Sequence, residues 1–523
     1  MRPLSFHLVT ILAWGWFVAA STAATTQPYL PPAFPQSHEE RAALVRGLAP
    51  EIRAAFERHA ASNHIPGVAY GVVVDGELVV AGGHGVANIE GRIPATPRTV
   101  FRVASMTKSF TAMSILRLRD AGKLDLDRPA SRYLPELRRL RMLTDDAPPI
   151  TLRRLLTHGA GFPEDNPWGD RQLADSDQDL VDLVRSPVWF SNAPGVAFEY
   201  SNLGFALLGR AVARVSGTSC QRYIVRNILA PLGMNSTYWE PTEVPKDLLA
   251  HGYRWEDDTW KEEALLGDGS FAPMGGMLST VEDFARYIAL HLDAWPPRDG
   301  PESPVLKRAS IREMHHPWRL SGLLSRTLDS SNAPCPTVTA YGYGLGWAQD
   351  CHDLIRIGHS GGLPGFGSQW RILPYYGIGI VGLGNVTYAG FGGINTEVLE
   401  LLLQRTGLKP RTLPASRILR ERAATLISLL PDWTGAEATG IFAENFFPDQ
   451  PLKILRRDCR QLFEKAGAIG RIDEPIAENQ LRGTVVLHGA TADLEVYFTL
   501  SPENPPLIQE FEIRERAQPK PTP

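Results

Sequence analysis

Apolar positions recur with a helical period over residues 37–62, where Leu44, Leu48, Ile52 and Phe56 share one face of a predicted amphipathic helix. The pattern then shortens. Residues 68–74 and 78–81 are β-branched or apolar runs on either side of Asp75-Gly76, a strong hairpin signal. Residues 105–121 return to a helical period and stop at Gly122, a natural C-cap. Helical patterns dominate to about residue 295, after which strand patterns return at 341–347, 354–357, 369–373 and 377–383. A further helix is predicted over 395–404, stopped by Gly407. Strands at both ends with helices between them predict an α+β fold. One central antiparallel sheet would be built from the two ends of the domain and flanked by helices, with an all-helical region beside it.

Past Gly407 the character changes. Residues 414–430 read as a linking helix ended by Pro431, and 451–467 as another helix with Ile454, Leu455, Leu462 and Phe463 apolar. Strands follow at 480–488, 493–500 and 507–514, and Leu494, Val496, Phe498 and Leu500 alternate cleanly. The expected division is a main domain over 24–407, a linking helix over 408–431 and a small α+β domain over 432–523, with no repeats. Residues 1–23 follow the order of a secretory signal peptide: Arg2, an apolar run over 8–20, then Ser21-Thr22-Ala23 as a cleavage site. That run is shorter than the ~20 residues needed to span a bilayer. The expectation is an exported protein, periplasmic or extracellular, without stable membrane insertion.

Composition narrows the class. With 523 residues, 43% hydrophobic and 21% charged, the chain is a water-soluble globular protein. A net charge of -4 argues against nucleic acid as a partner. In an exported protein the four cysteines could form disulfides. Cys335 and Cys351 bracket a strand-like stretch and a local bridge between them is one option; Cys220 and Cys459 lie in helical patterns and read as small buried hydrophobes. Spacing alone does not fix the pairing.

Three short segments carry chemistry. Ser105-Met-Thr-Lys108 puts a serine at a helix start with a lysine one turn on, on the same face. A serine hydroxyl needs a base to become a nucleophile, and lysine serves only if desolvation or a neighbouring cation lowers its pKa. Phe110, Ala112, Met113, Ile115 and Leu116 place that helix in the core. Tyr200-Ser-Asn202 opens the helical run 203–216; a phenol beside a lysine ammonium is favoured as phenolate, and an asparagine offers both donor and acceptor. His359-Ser360-Gly361-Gly362 follows the 354–357 strand. The same residues, with Gly358, also match a G-x-S-x-G nucleophile elbow. Leu363-Pro364-Gly365 cannot begin the helix an elbow requires, so the segment reads as a substrate-binding strand edge whose glycines allow close approach. No metal-ligand spacing or phosphate loop is visible, and no cofactor is called for. His158 and the His315-His316 pair read as structural.

Together S-x-x-K, Y-x-N and H-x-G resemble, in order and spacing, the serine hydrolase superfamily of class C β-lactamases, D-alanyl-D-alanine carboxypeptidases and related esterases. Connecting segments resemble it as well, among them Ile150-Thr-Leu-Arg-Arg-Leu-Leu-Thr-His158 and Gly275-Gly-Met-Leu-Ser279, and the likeness spans about residues 40–405. It implies the β-lactamase/transpeptidase-like fold and an acyl-enzyme mechanism on a small-molecule or peptide amide or ester. Its other implication is a penicillin-binding or sensing protein that acylates with little turnover. Ser105 would be the nucleophile, Lys108 its proton acceptor and Tyr200 the relay to the leaving group. Asn202 would orient Lys108 and the substrate amide, with His359, Ser360 and Gly361 as further substrate-binding residues. The N–H groups of Ser105 and Gly362 would form the oxyanion hole. The β-lactamases of this group carry lysine where this chain has His359, so the resemblance implies at most a weak β-lactamase activity. A histidine with an ordinary pKa near ~6.5 would gain charge, and hold a substrate carboxylate better, as pH falls towards ~6.

Overall fold

The computed structural model describes residues 29–186, 188–329 and 332–516. The signal peptide expected over residues 1–23 lies outside them. Among the described residues two compact units emerge, Pro31–Thr412 and a smaller one over residues 413–516.

The larger unit is organised around β1 (Gly67–Val74), whose eight residues are all buried. Successive side chains of a strand point to opposite faces. Val68, Tyr70, Val72 and Val74 join a cluster with Ile52, Phe56, Val398 and Leu402, while Ala69 and Val73 join another with Phe110, Val281 and Ile288. Both faces of the sheet are therefore covered, and an unbroken apolar run is what such a strand requires. Asp75 and Gly76, both at positive φ, make the two-residue turn into β2 (Glu77–Asn88). The short β3 (Ile93–Pro94) follows. After the helical region come β4 (Arg319–Leu324), β5 (Thr337–Tyr341), β6 (Gly346–Gln349), β7 (Ile355–Leu363), β8 (Phe366–Leu373) and β9 (Ile378–Gly384). They form a nine-stranded sheet in the order β3-β2-β1-β9-β8-β7-β6-β5-β4. Each neighbouring pair is antiparallel, and the contact joining the two chain ends is β1 with β9. The expected α+β architecture is the one observed.

Helices α1 (His38–Gly47) and α2 (Ala49–Ser62) replace the single helix expected over 37–62. Pro50, near the start of α2, cannot donate a backbone hydrogen bond, so the chain breaks at Leu48. The break rotates Leu44 outwards, to 39% exposure, and Ala42 and Val45 face the core instead. Helix α3 (Thr107–Asp120) runs through the core, α4 (Asn202–Ser216) packs against it, and α5 (Val281–Asp293) and α6 (Gly392–Thr406) flank the sheet. The expected strand over 341–347 is interrupted by the turn 342–345 between β5 and β6, where Gly344 takes φ +66. The strand expected over 354–357 continues to Leu363, so His359 to Gly362 lie within it and not past its end. No helix among the described residues is long and apolar enough to cross a membrane.

In the smaller unit, α7 (Arg417–Ser428) and α8 (Leu452–Ala466) accompany five strands, β10 (Ile469–Ile472), β11 (Ile476–Asn479), β12 (Arg482–Gly489), β13 (Asp493–Leu500) and β14 (Ile508–Glu515). The alternating Leu494, Val496 and Phe498 pack on Trp433, Leu419 and Leu426. Helix α7 thus contributes to this unit's own core.

Cys335 and Cys351, 16 residues apart, form a disulfide at the open end of the β5–β6 hairpin, and Cys220 and Cys459 are buried free thiols. Closing a loop of that length removes roughly 3 kcal/mol of unfolded-state entropy. The Cys335→Ser/Cys351→Ser variant should therefore lose stability of about that size in denaturant titration, and added reductant should destabilise the parent protein but not the variant.

Candidate active site

Ser105 occupies a single 3-10 turn (Ala104–Met106) that feeds directly into α3, with Ala104 at positive φ on its N-terminal side. Eleven of the fourteen residues of α3 are buried, Lys108 among them at 0% exposure. Three of the helix's hydroxyls are satisfied locally, Thr107 donating to the Ala104 carbonyl, Ser109 to Met106 and Ser114 to Phe110, while Thr111 donates to the distant Pro273 carbonyl. Lys108 Nζ has three oxygen partners: Ser105 Oγ at 3.0 Å, Asn202 Oδ1 at 2.7 Å and the Met274 carbonyl at 2.8 Å. A neutral amine has two N–H donors and one lone pair. Asn202 and Met274 take the two donors, which aims the lone pair at Ser105. Desolvation lowers the Lys108 pKa to about 7, only partly opposed by the negative charges of Asp170 and Asp165.

Asn202 starts α4 and is completely buried. Its Oδ1 accepts from Lys108, while its Nδ2 donates to Asn166 Oδ1 at 3.1 Å and Asp170 Oδ1 at 3.5 Å. Both ends of the amide are used internally, so Asn202 positions Lys108 as expected, but the second role expected of it, orienting the substrate amide, is left without a donor. The helix start is held by Ser201, whose Oγ accepts from the Gly204 N–H, and by Asp165, which accepts from the N–H groups of Asn202 and Leu203. His158 Nδ1 accepts from the Ser201 N–H at 3.0 Å, and its ring lies 4.2 Å from that of Tyr200. Burial keeps this histidine neutral.

The Tyr200 hydroxyl is turned towards the Ser105 side chain, and its ring lies 4.9 Å from Lys108 Nζ. Desolvation pushes the phenol well above its ordinary pKa. This corrects the expectation of a favoured phenolate: at neutral pH Lys108 is the group poised to accept a proton, and Tyr200 is poised to give one.

Strand β7 supplies the third wall. Its partner β6 pairs only with residues 355–358, so the edge of β7 from His359 to Leu363 has no neighbouring strand on that side, while β8 pairs its other edge from Ile357 to Leu363. An unpaired strand edge presents free N–H and C=O groups. Gly361 brings that edge against the Ser105 turn: a β-carbon there would enter the van der Waals shells of the Val103 carbonyl and Ser368 Oγ, and lie 2.9 Å from Ala104 Cβ. Ser368 Oγ also donates to the Val103 carbonyl at 2.8 Å. Ser105, Tyr200, His359, Ser360, Gly361 and Gly362 line one cleft of about 620 Å³, with Asp170 and Tyr388 opposite. Ser360 lies in a continuous strand, so the elbow geometry is absent.

His359 is 7% exposed and both its ring nitrogens are engaged, Nε2 with the Tyr341 hydroxyl at 2.7 Å and Nδ1 with the Ser360 carbonyl. The neutral ring satisfies both contacts, donating from Nδ1 and accepting at Nε2. Desolvation first, then the Lys108 charge, lower its pKa to about 3. The expected gain of charge towards pH ~6 is thereby overturned: His359 is a neutral prop.

Sequence reasoning missed Asp165, Asp170, Met274, Tyr341 and Tyr388. The Asp170 carboxyl is nearly inaccessible and accepts from the Tyr388 hydroxyl at 2.9 Å; burial raises its pKa to about 6. Asp165 and Asp170 cap the two ends of a single helical turn (Asn166–Gly169), too short to leave a periodic signal in the sequence.

A family model described as Beta-lactamase matches residues 52–404. Protein flp from Staphylococcus aureus (strain COL) is 29% identical over 341 residues, 64% of this chain, and the match spans 63% of that relative's length. Penicillin-binding protein 4 from Amycolatopsis lactamdurans is 30% identical over 369 residues, covering 68% of this chain and 89% of the relative. Among solved structures, the octameric penicillin-binding protein homologue from Pyrococcus abyssi superposes with a TM-score of 0.58 at 24% identity, over 86% of this chain and 93% of that one, a likeness of fold.

The Gly361 contact yields a direct test. Gly361→Ala must move β7 away from the Ser105 turn, at a cost of roughly 1–3 kcal/mol. Labelling of Ser105 by a neutral fluorophosphonate should slow at least tenfold in this variant, whereas Gly393→Ala, where a β-carbon meets nothing within 4 Å, should label like the parent.

Proposed function

The chain belongs to the beta-lactamase family, and on that premise we propose that it is a serine hydrolase that cleaves an amide or ester through an acyl-enzyme. One observation carries the reading: the enclosed Lys108 amine, 3.0 Å from Ser105 Oγ, with its two N–H groups already used. Ser105 Oγ attacks the substrate carbonyl and its proton passes to Lys108 Nζ. The ammonium so formed keeps Asn202 and Met274 as acceptors and lies over the Tyr200 ring. The N–H groups of Ser105 and Gly362 receive the charge that develops on the carbonyl oxygen. Tyr200 hands its phenolic proton to the leaving group and is reprotonated from Lys108. Deacylation runs the same path with water in place of the leaving group. The reaction resembles that of D-peptidases and esterases, because the third segment carries a neutral His359 where β-lactamases have a cationic lysine. We infer further that the protein is exported, periplasmic or extracellular. The Cys335–Cys351 bond supports this, since disulfides persist in oxidising compartments.

Ser105→Ala should abolish labelling by fluorophosphonate or a fluorescent β-lactam, and Ser360→Ala should not; the opposite result would overturn the assignment of the nucleophile. Lys108→Arg keeps the charge but cannot release its proton. It should lose activity by roughly 10²–10⁴-fold, the worth of a general base. The neutral amine gains population as pH rises, so kcat/KM for a p-nitrophenyl ester should climb through pH about 7, the Lys108 value. Steady release of p-nitrophenol is expected; one equivalent followed by silence would mark a penicillin-binding or sensing protein instead.

A further inference from the structure

The Met274 carbonyl, one of the two acceptors that orient the Lys108 amine, is a backbone group that no side-chain substitution can remove. It belongs to a single buried helical turn, Ala272–Gly275. Helix α3 holds that turn with one face. Lys108 and Thr111 are three residues apart and therefore neighbours on the helix surface. Lys108 Nζ donates to the Met274 carbonyl at 2.8 Å, and Thr111 Oγ1 donates to the carbonyl just before it, that of Pro273, at 2.7 Å. Thr107 Oγ1 accepts from the Met277 N–H at 3.2 Å, just past the turn. Gly209 of α4 lies against the Pro273 ring, which a β-carbon at 209 would overlap.

Thr111 departs from the habit of its helix. A buried hydroxyl on a helix ordinarily returns to a carbonyl of the preceding turn, as those of Ser109 and Ser114 do. Thr111 is completely buried and reaches out of α3 instead. Its hydroxyl carries a single hydrogen, which goes to Pro273, so its oxygen is left to accept from the Cys220 thiol that it also meets. Pro273 has no N–H, so its carbonyl is its only backbone group able to form a hydrogen bond. That carbonyl sits one peptide away from the one on Lys108.

We propose that Thr111 is a positioning residue for the proton transfer: by holding the Pro273 carbonyl it fixes the Met274 carbonyl on Lys108 and keeps the amine's lone pair directed at Ser105. The proposal rests on the hydrolase reading for its catalytic consequence, whereas its effect on Lys108 does not need a substrate. A carbonyl oxygen accepts more strongly from an ammonium than from a neutral amine. Loosening it withdraws support from the charged form, so the lysine should lose its proton at lower pH. It also frees one N–H, so the neutral amine turns away from Ser105 and becomes a poorer base. The titratable groups that face Lys108 are Asp165, Asp170, Tyr200, His158 and His359, and none of them is a printed partner of the Thr111 hydroxyl, which Pro273 and Cys220 occupy.

Two readouts test this together: the Lys108 midpoint by NMR in protein labelled at lysine Cε and Nζ, and the pH profile of kcat/KM for p-nitrophenyl acetate. Thr111→Val keeps the shape and removes the donor. Its Lys108 midpoint should fall by about half a unit or more, and its kcat/KM on the alkaline plateau by about tenfold or more. Thr111→Ser should restore both. Ser114→Ala removes an equally buried hydroxyl whose bond stays within α3, and should leave both at the parent values. Gly209→Ala presses on Pro273 from α4 and should reproduce the Thr111→Val result, which keeps the test open if that variant does not fold. Parent values in whichever of Thr111→Val and Gly209→Ala folds, or the same losses in Thr111→Ser or Ser114→Ala, would overturn the proposal. A shifted midpoint in a protein whose parent turns over no ester would remove the hydrolase reading and leave the positioning role standing.

Discussion

An amine confined without water governs the site. Lys108 sits at 0% exposure with three polar atoms around Nζ, and taking the ammonium out of water outweighs the attraction of Asp165 and Asp170. The displacement from 10.5 to about 7 amounts to roughly 5 kcal/mol against the charged form. Everything near the lysine serves that balance. The core packing of α3 removes solvent, Asn202 and the Met274 carbonyl fix the nitrogen's orientation, and two carboxylates stop the pKa from falling further. Asp170 reaches the lysine through the Asn202 amide, so the short helical turn it caps participates at one remove.

The same desolvation sets the state of the neighbouring rings. Tyr200, His158 and His359 are held uncharged. One amine is thus ringed by neutral groups. Backbone geometry does the remainder. Strand β6 stops short, so β7 offers a bare edge, and Gly361 lets that edge approach Ser105.

Much of the fold was legible because a buried sheet leaves a simple signature. The apolar run of β1 and the Asp75-Gly76 turn identify the centre of the sheet, and α3 ends where Gly122 takes a positive φ. The sequence reading failed where tertiary contacts override local pattern. The stretch 341–347 has strand composition yet turns at 342–345, and Pro50 divides a helix whose apolar spacing looks continuous. Ser105, Lys108 and Tyr200 were legible as short motifs, and they meet because α3 and α4 cross in the core. The role of Asn202 was half legible, since only the fold reveals that Asn166 and Asp170 occupy the other end of its amide. For His359 the residue type suggested a titrating group, while the Tyr341 hydroxyl and Ser360 carbonyl make it a neutral one.

The ionisation of Lys108 itself is the most direct test of this account. The chain has nine lysines, and the Lys108 signal can be assigned by its loss in Lys108→Arg. In protein labelled at lysine Cε and Nζ, NMR titration should give a midpoint near pH 7 for that one signal, while exposed lysines titrate near ~10.4. A Lys108 midpoint above ~9 would mean that the ammonium is the resting form. The proposed base would then be absent at neutral pH, and the account of the site would be contradicted.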